Sequence, residues 1–334
     1  MIADNPNTDM SLRSSFTAEA ILSLTSGRSL RRKASARDDI LIGFAMHPLW
    51  LTGRDLEAFI GPLRENGLRS LEFEIDSNLS GWEQFEPLME DCSKIGMEIC
   101  FHAPYRHPFS LSGFRGDRRR EIINANMPLW SLADSWAKRN HFRTEIVLHG
   151  ASSNNAPLGP QSWGESHPPR IGGRGAFSEL REDTKAFIIY ALEAFPNLTI
   201  ALENLDIAKP GITKFGVRRE DVLALVTEID HPRLGICWDT GHDIRQGVPQ
   251  DPPKEWLERV DHVHIHDLDN SGEDHFPLVF GNVPNERWIK LLMDAGMEGT
   301  ITLELKGGHL VGWELEKISD ALINSIKTID EVLT

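Results

Sequence analysis

LGICWDTGH, residues 234–242, is an apolar run that ends abruptly in an acid, Asp239, with an imidazole, His242, three residues later. Six residues of mostly apolar character are too few for a buried helix and fit a strand covered on both faces. The same form recurs along the chain. FHAPY ends a run at His102, VLHGA at His149 and ALENL at Glu203. HVHIHD carries His264 and His266, EDHFPL carries Glu273 and His275, and TLEL ends at Glu304. Neutral imidazoles and carboxylates are the donors that a divalent ion such as Zn²⁺, Mn²⁺, Co²⁺ or Mg²⁺ accepts.

Working outward, the runs ILIGFAM (40–46), RSLEFEI (69–75), GMEICFH (96–102) and TEIVLH (144–149) read as strands. LTIALE (198–203), LGICWD (234–239), VDHVHIH (260–266) and GTITLEL (299–305) continue the series. Helical periodicity falls between them at 55–67, 85–96, 183–195, 219–229 and 286–296. Strands alternating with amphipathic helices imply parallel pairing through right-handed crossovers. Eight such units predict a single-domain (β/α)₈ TIM barrel over residues 39–334, in which catalytic groups stand at the C-terminal strand ends. No GxGxxG follows a strand, so dinucleotide binding has no support.

Residues 1–38 differ: they are polar, then basic and serine-rich, and read as a poorly ordered extension. Segments 103–120 and 150–177 each follow a strand bearing a candidate ligand and are long enough to be lids or binding loops. The first holds several arginines. Arg106, four residues past His102, is the candidate for binding substrate, whereas Arg118–Arg120 fit the solvated start of a helix.

The formal net charge of −15 argues against broad attraction to nucleic acid or anionic membrane. No apolar run approaches the ~18 residues of a membrane helix. Cys92, Cys100 and Cys237 are odd in number and unpaired in spacing, which fits a reduced, cytoplasmic setting. Each ligand motif alone is weak, because a histidine on an apolar strand is more often a packing residue. Six successive strand ends bearing such groups are another matter, since burying them together is costly unless a cation neutralises them. On the seventh strand His262, His264 and His266 share a face, as do Glu72, Glu74 and Asp76 on the second. His262 suits packing, His266 hydrogen bonding to substrate, and Glu72 either ligand orientation or an internal ion pair.

FHAPY, VLHG, ALEN, the CxDTxH run, HVHIHD, EDHFPL and TLEL resemble the xylose isomerase-like TIM-barrel superfamily over about residues 40–320. That superfamily holds sugar and sugar-phosphate isomerases and epimerases, and the endonuclease IV class of abasic-site nucleases. In the isomerase branch the resemblance implies one divalent ion on Glu203, Asp239, His264 and Glu304. Glu203 and Glu304 would then exchange a substrate proton through an ene-diolate while His242 steadies a substrate oxygen. In the nuclease branch it implies up to three ions, with His102, His149, His242, Glu273 and His275 as further ligands. Glu273 departs from the aspartate usual there, and Asn270 from the arginine of ketose epimerases. The expectation is an isomerase or epimerase of a small carbohydrate. A phosphodiesterase is the second reading, and a metal-binding subunit of another enzyme the third.

Overall fold

A computed structural model describes residues 40–74, 82–140, 144–153, 174–208 and 212–334. The predicted extension over 1–38, Asp76 and most of the 150–177 loop lie outside the described residues. Eight strands run in chain order: β1 (Ile40–Met46), β2 (Leu68–Glu74), β3 (Glu98–His102), β4 (Glu145–Leu148), β5 (Thr199–Glu203), β6 (Leu234–Asp239), β7 (Val260–Ile265) and β8 (Gly299–Leu303). They hydrogen-bond in that order as a closed barrel, the topology expected. The predicted strands lie within two residues of those observed.

Helices fill the connections: α1 (Leu56–Glu65), α2 (Glu86–Lys94), α3 (Arg119–Asn140), α4 (Arg174–Ala194), α5 (Arg219–Ile229), short α6 (Thr240–Arg245) and α7 (Lys254–Leu257), α8 (Asn285–Asp294) and α9 (Leu315–Leu333). The helix expected over 183–195 begins at Arg174, so the 150–177 loop ends sooner than its composition suggests. None of the described helices is long and apolar enough to cross a membrane.

Two compact units make up the described chain. Of the described residues, one comprises those from Ile40 to Phe73, Pro87–Ile99 and His264–Thr334; the other comprises those within Glu74–Glu86 and Cys100–Val263. In the first, β1 pairs in parallel with both β2 and β8, setting Gly43 beside Ser70 and Thr302. A Cβ at Gly43 would stand 2.7 Å from Thr302 Oγ1, so the close approach needs glycine. Asp55 starts α1 by accepting the amides of Glu57 and Ala58, satisfying donors the helix cannot. Phe59, Ile60 and Leu63 are thereby turned inward, each at most 1% exposed.

In the second unit β3, β4, β5 and β6 pair in parallel, and Glu203 registers with Cys237. Asp239 lies two residues further along β6 and so on the same face as Cys237. Helices cover these strands, and Trp130 and Phe187 stack edge to face at 5.4 Å between them. Beyond β4 the chain is stapled to the β5–α5 connection: Phe215 N–H donates to Ala151 O and Ser153 N–H to Thr213 O. Gly150 permits this, because a Cβ there would meet Phe215 O at 2.4 Å. The staple fixes the direction in which the chain leaves His149.

Candidate metal centre

Unit two gathers five of the predicted residues. His102 ends β3 and its Nδ1 lies 3.0 Å from the carbonyl of Ala103. A carbonyl only accepts, so Nδ1 carries the proton and the lone pair is on Nε2. That Nε2 stands 3.4 Å from Glu203 Oε2, and His149 Nε2 reaches the same oxygen at 2.8 Å. Ligand atoms of His102, His149 and Glu203 all lie within 4.8 Å of one another. Burial pushes the His149 imidazole below its ordinary pKa and Glu203 only partly offsets this, so His149 is neutral at pH 7.

His242 follows the same logic. Its Nδ1 donates to Asn204 O at 2.9 Å, leaving the lone pair on Nε2. Asp239 caps α6 through His242 N–H at 2.8 Å, and its other oxygen lies 3.4 Å from the ring. Asn204 organises the pair. Its side chain accepts Asp239 N–H and donates to Asp239 O, clamping the strand end from both sides. Behind it Asp243 joins Arg219 in a buried ion pair at 2.6 Å and accepts Trp238 Nε1–H. Burial still raises its carboxyl to about 6 despite Arg219.

Unit one holds the second cluster. His264 Nε2 lies 3.1 and 3.2 Å from the two oxygens of Glu72 and must donate to them. Nδ1, on the other edge of the ring, stands 3.3 Å from Glu304 Oε2. His275 Nε2 approaches that same oxygen at 3.2 Å, with its Nδ1 3.0 Å from Asp274. Burial opposes protonation of His275, but Glu304 and Asp274 outweigh it and lift the pKa to about 10.

Two donors on one divalent ion, each about 2.1 Å from it, stand roughly 3.0–3.5 Å apart. His264–Glu304, His275–Glu304 and His102–Glu203 all fall in that range. Each pairs a carboxylate oxygen with an imidazole nitrogen, an arrangement that repels unless a proton or a cation lies between. The donor set therefore fits a borderline divalent metal, and His264 already carries the carboxylate partner typical of a metal-bound imidazole.

A profile of the xylose isomerase-like TIM barrel family matches residues 60–329. This chain belongs to that family. An uncharacterized protein of Methanocaldococcus jannaschii is 30% identical over 265 residues, covering 73% of this chain and 80% of that one. Among solved structures, a D-tagatose 3-epimerase-like protein superposes with a TM-score of 0.58 at 19% identity, covering 89% of this chain and all of the other. The 3-keto-D-glucoside 4-epimerase YcjR of E. coli gives 0.58 at 13%, over 86% and 99%. D-allulose 3-epimerase from Methylomonas sp. gives 0.57 at 16%, over 90% and 99%. At these identities the likeness is one of fold.

Within this xylose isomerase-like barrel some expectations need correction. Glu273 is exposed, and the acid that faces inward is its neighbour Asp274, 1% exposed and paired with Lys306 at 2.9 Å. His275, next in the chain, adopts a left-handed φ of +61°. His266 accepts the amide of His275 on Nδ1 at 2.9 Å, so Nε2 holds its proton. Arg106 stays exposed over the Tyr105 ring, which stacks on His149 with centroids 4.1 Å apart. Three other arginines of that loop have partners within the chain: Arg115 with Asp183, Arg118 with Glu121, Arg119 over Phe114. His262 packs in the barrel against Glu145 at 2.8 Å, a partner 117 residues away that no local pattern announces.

Proposed function

We propose that this barrel is a divalent-metal-dependent isomerase or epimerase of a small carbohydrate or sugar phosphate. Glu203, Asp239, His264 and Glu304 are its proposed metal ligands. They lie at or beside the C-terminal ends of β5, β6, β7 and β8, which pair in that order, and this order supports a shared ion. The observation that carries the reading is the His264–Glu304 approach of 3.3 Å with the Glu72 carboxylate behind the ring. A divalent ion held there supplies Lewis-acid polarisation of a substrate carbonyl and its neighbouring hydroxyl.

The chain's own residues do the rest. Glu203 and Glu304 flank the substrate carbon, one taking its proton and the other returning it, so that the ene-diolate is formed and quenched between two carboxylates. His242 and His266 hold substrate oxygens, the latter by its Nε2–H. Arg106, at the rim, meets a distal hydroxyl or phosphate. The proposed setting is a reducing cytoplasm, supported by three buried thiols.

Incubation with a panel of ketoses, aldoses and their phosphates in D₂O tests this. Deuterium at a carbon beside the carbonyl is the expected result. A second reading, a multi-metal phosphodiesterase, is favoured by the His102–His149–Glu203 group. Cleavage of abasic-site DNA with no deuterium uptake would establish it instead. A third reading, a metal-binding subunit of another enzyme, would be left by inactivity in both assays.

A further inference from the structure

Asp267 follows the histidines of β7 and differs from the acids around it. Its buried carboxylate accepts five backbone N–H groups. Leu268 (2.9 Å), Asn282 (3.0 Å) and Val283 (3.2 Å) donate to Oδ1, and Phe280 (2.7 Å) and Gly281 (2.6 Å) donate to Oδ2. Its backbone pairs in both directions with Phe276, at 2.8 and 3.1 Å. One residue thus ties the β7–α8 loop at its middle and at its far end.

The four successive amides of 280–283 form a concave array that favours an anion, and the left-handed φ of +72° at Gly281 allows the chain to curl around it. Charge-assisted bonds of this kind are about twice as strong as neutral ones. A neutral amide would not replace the carboxylate. One oxygen would still accept, while the NH₂ would face two N–H donors.

The loop so tied carries His275 in the left-handed region that non-glycine residues rarely adopt. Its amide donates to His266 Nδ1 at 2.9 Å, its carbonyl accepts Lys306 N–H at 3.1 Å, and its ring stacks on His266 at 4.1 Å. The imidazole is delivered to 3.2 Å from Glu304.

We propose that Asp267 is a positioning residue: by gathering the amides of residues 280–283 it holds the loop that keeps His275 against Glu304. Its consequence for metal affinity rests on the metal-centre reading above. Replacing a group that orients a metal ligand costs about 10–100-fold in affinity.

Two measurements on the full chain test it. Co²⁺ binding by titration calorimetry compares wild type, Asp267→Asn, His275→Ala and the double variant, with circular dichroism to verify folding. Asp267→Asn should weaken Co²⁺ binding by about tenfold or more when His275 is present, and cause no further loss when it is Ala. Equal losses in both backgrounds, or undiminished affinity in a folded Asp267→Asn, would overturn the proposal. Amide exchange in wild type serves if that variant does not fold. Phe280, Gly281 and Asn282 belong to exposed residues, yet their amides should exchange as slowly as strand interiors. Rapid exchange there overturns the clamp. A wild type that binds no Co²⁺ but protects these amides would instead defeat the metal-centre reading and leave the clamp supported.

Discussion

His264 donates its Nε2–H to Glu72 at 3.1 Å, with both residues at 0% exposure. A carboxylate so deeply buried is costly unless a partner repays its lost hydration. The pair also fixes the ring, aiming Nδ1 at Glu304. Glu72→Gln keeps the shape and removes the charge. Mn²⁺ or Co²⁺ affinity should fall about 10–100-fold with the fold retained. Unchanged affinity by calorimetry would separate Glu72 from the metal centre.

Glu203→Gln and Glu304→Gln should each abolish turnover, by at least about 10²–10⁴-fold if proton transfer is what is lost. The circular dichroism spectrum should stay that of wild type. Full solvent-exchange activity in either variant would remove that carboxylate from the acid–base pair.

Metal removal should lower stability. An ion present at about 100 times its dissociation constant adds about 2.7 kcal/mol, on the order of 5 °C in melting temperature for a chain of this size. Chelator should reverse the shift and fresh Mn²⁺ or Co²⁺ restore it. Identical melting curves with and without chelator would count against a native site.

Cys92 gives a pH prediction remote from the site. Burial, with Asp91 adding to it, pushes the thiol up to about 12. A folded pKa above the unfolded value of about 8.5 favours folding fully below that value, and the benefit is lost as pH rises from there toward 12. Stability of wild type should therefore fall more steeply above pH 9 than that of Cys92→Ala. Native Cys92 should also resist maleimide at pH 8 and label in denaturant. Parallel pH curves, or rapid native labelling, would refute it.

Much of the barrel was legible because its strands are short apolar runs bounded by turns, and parallel strands buried on both faces leave that imprint. Helix α3 (Arg119–Asn140) was harder to read. Pro128 lies inside it and polar Asn126 sits on its buried stripe, donating to Phe109 O and Ile122 O. Within the clusters, residues at strand ends were visible, since a charged group ending an apolar run is conspicuous. Their supporting residues were not. Glu145 meets His262 across 117 residues, and Asn204 clamps Asp239 across 35. Glu273 is exposed and Asp274 buried, a difference that two adjacent acids in a sequence do not disclose.

Glu203, Asp239, His264 and Glu304 are proposed to bind one ion. Anomalous diffraction from crystals grown with Mn²⁺ or Co²⁺ would locate that ion. The expected result is a peak about 2.0–2.3 Å from a carboxylate oxygen of each acid and from His264 Nδ1. A map with no peak among these four side chains, in protein loaded with the ion, would contradict it.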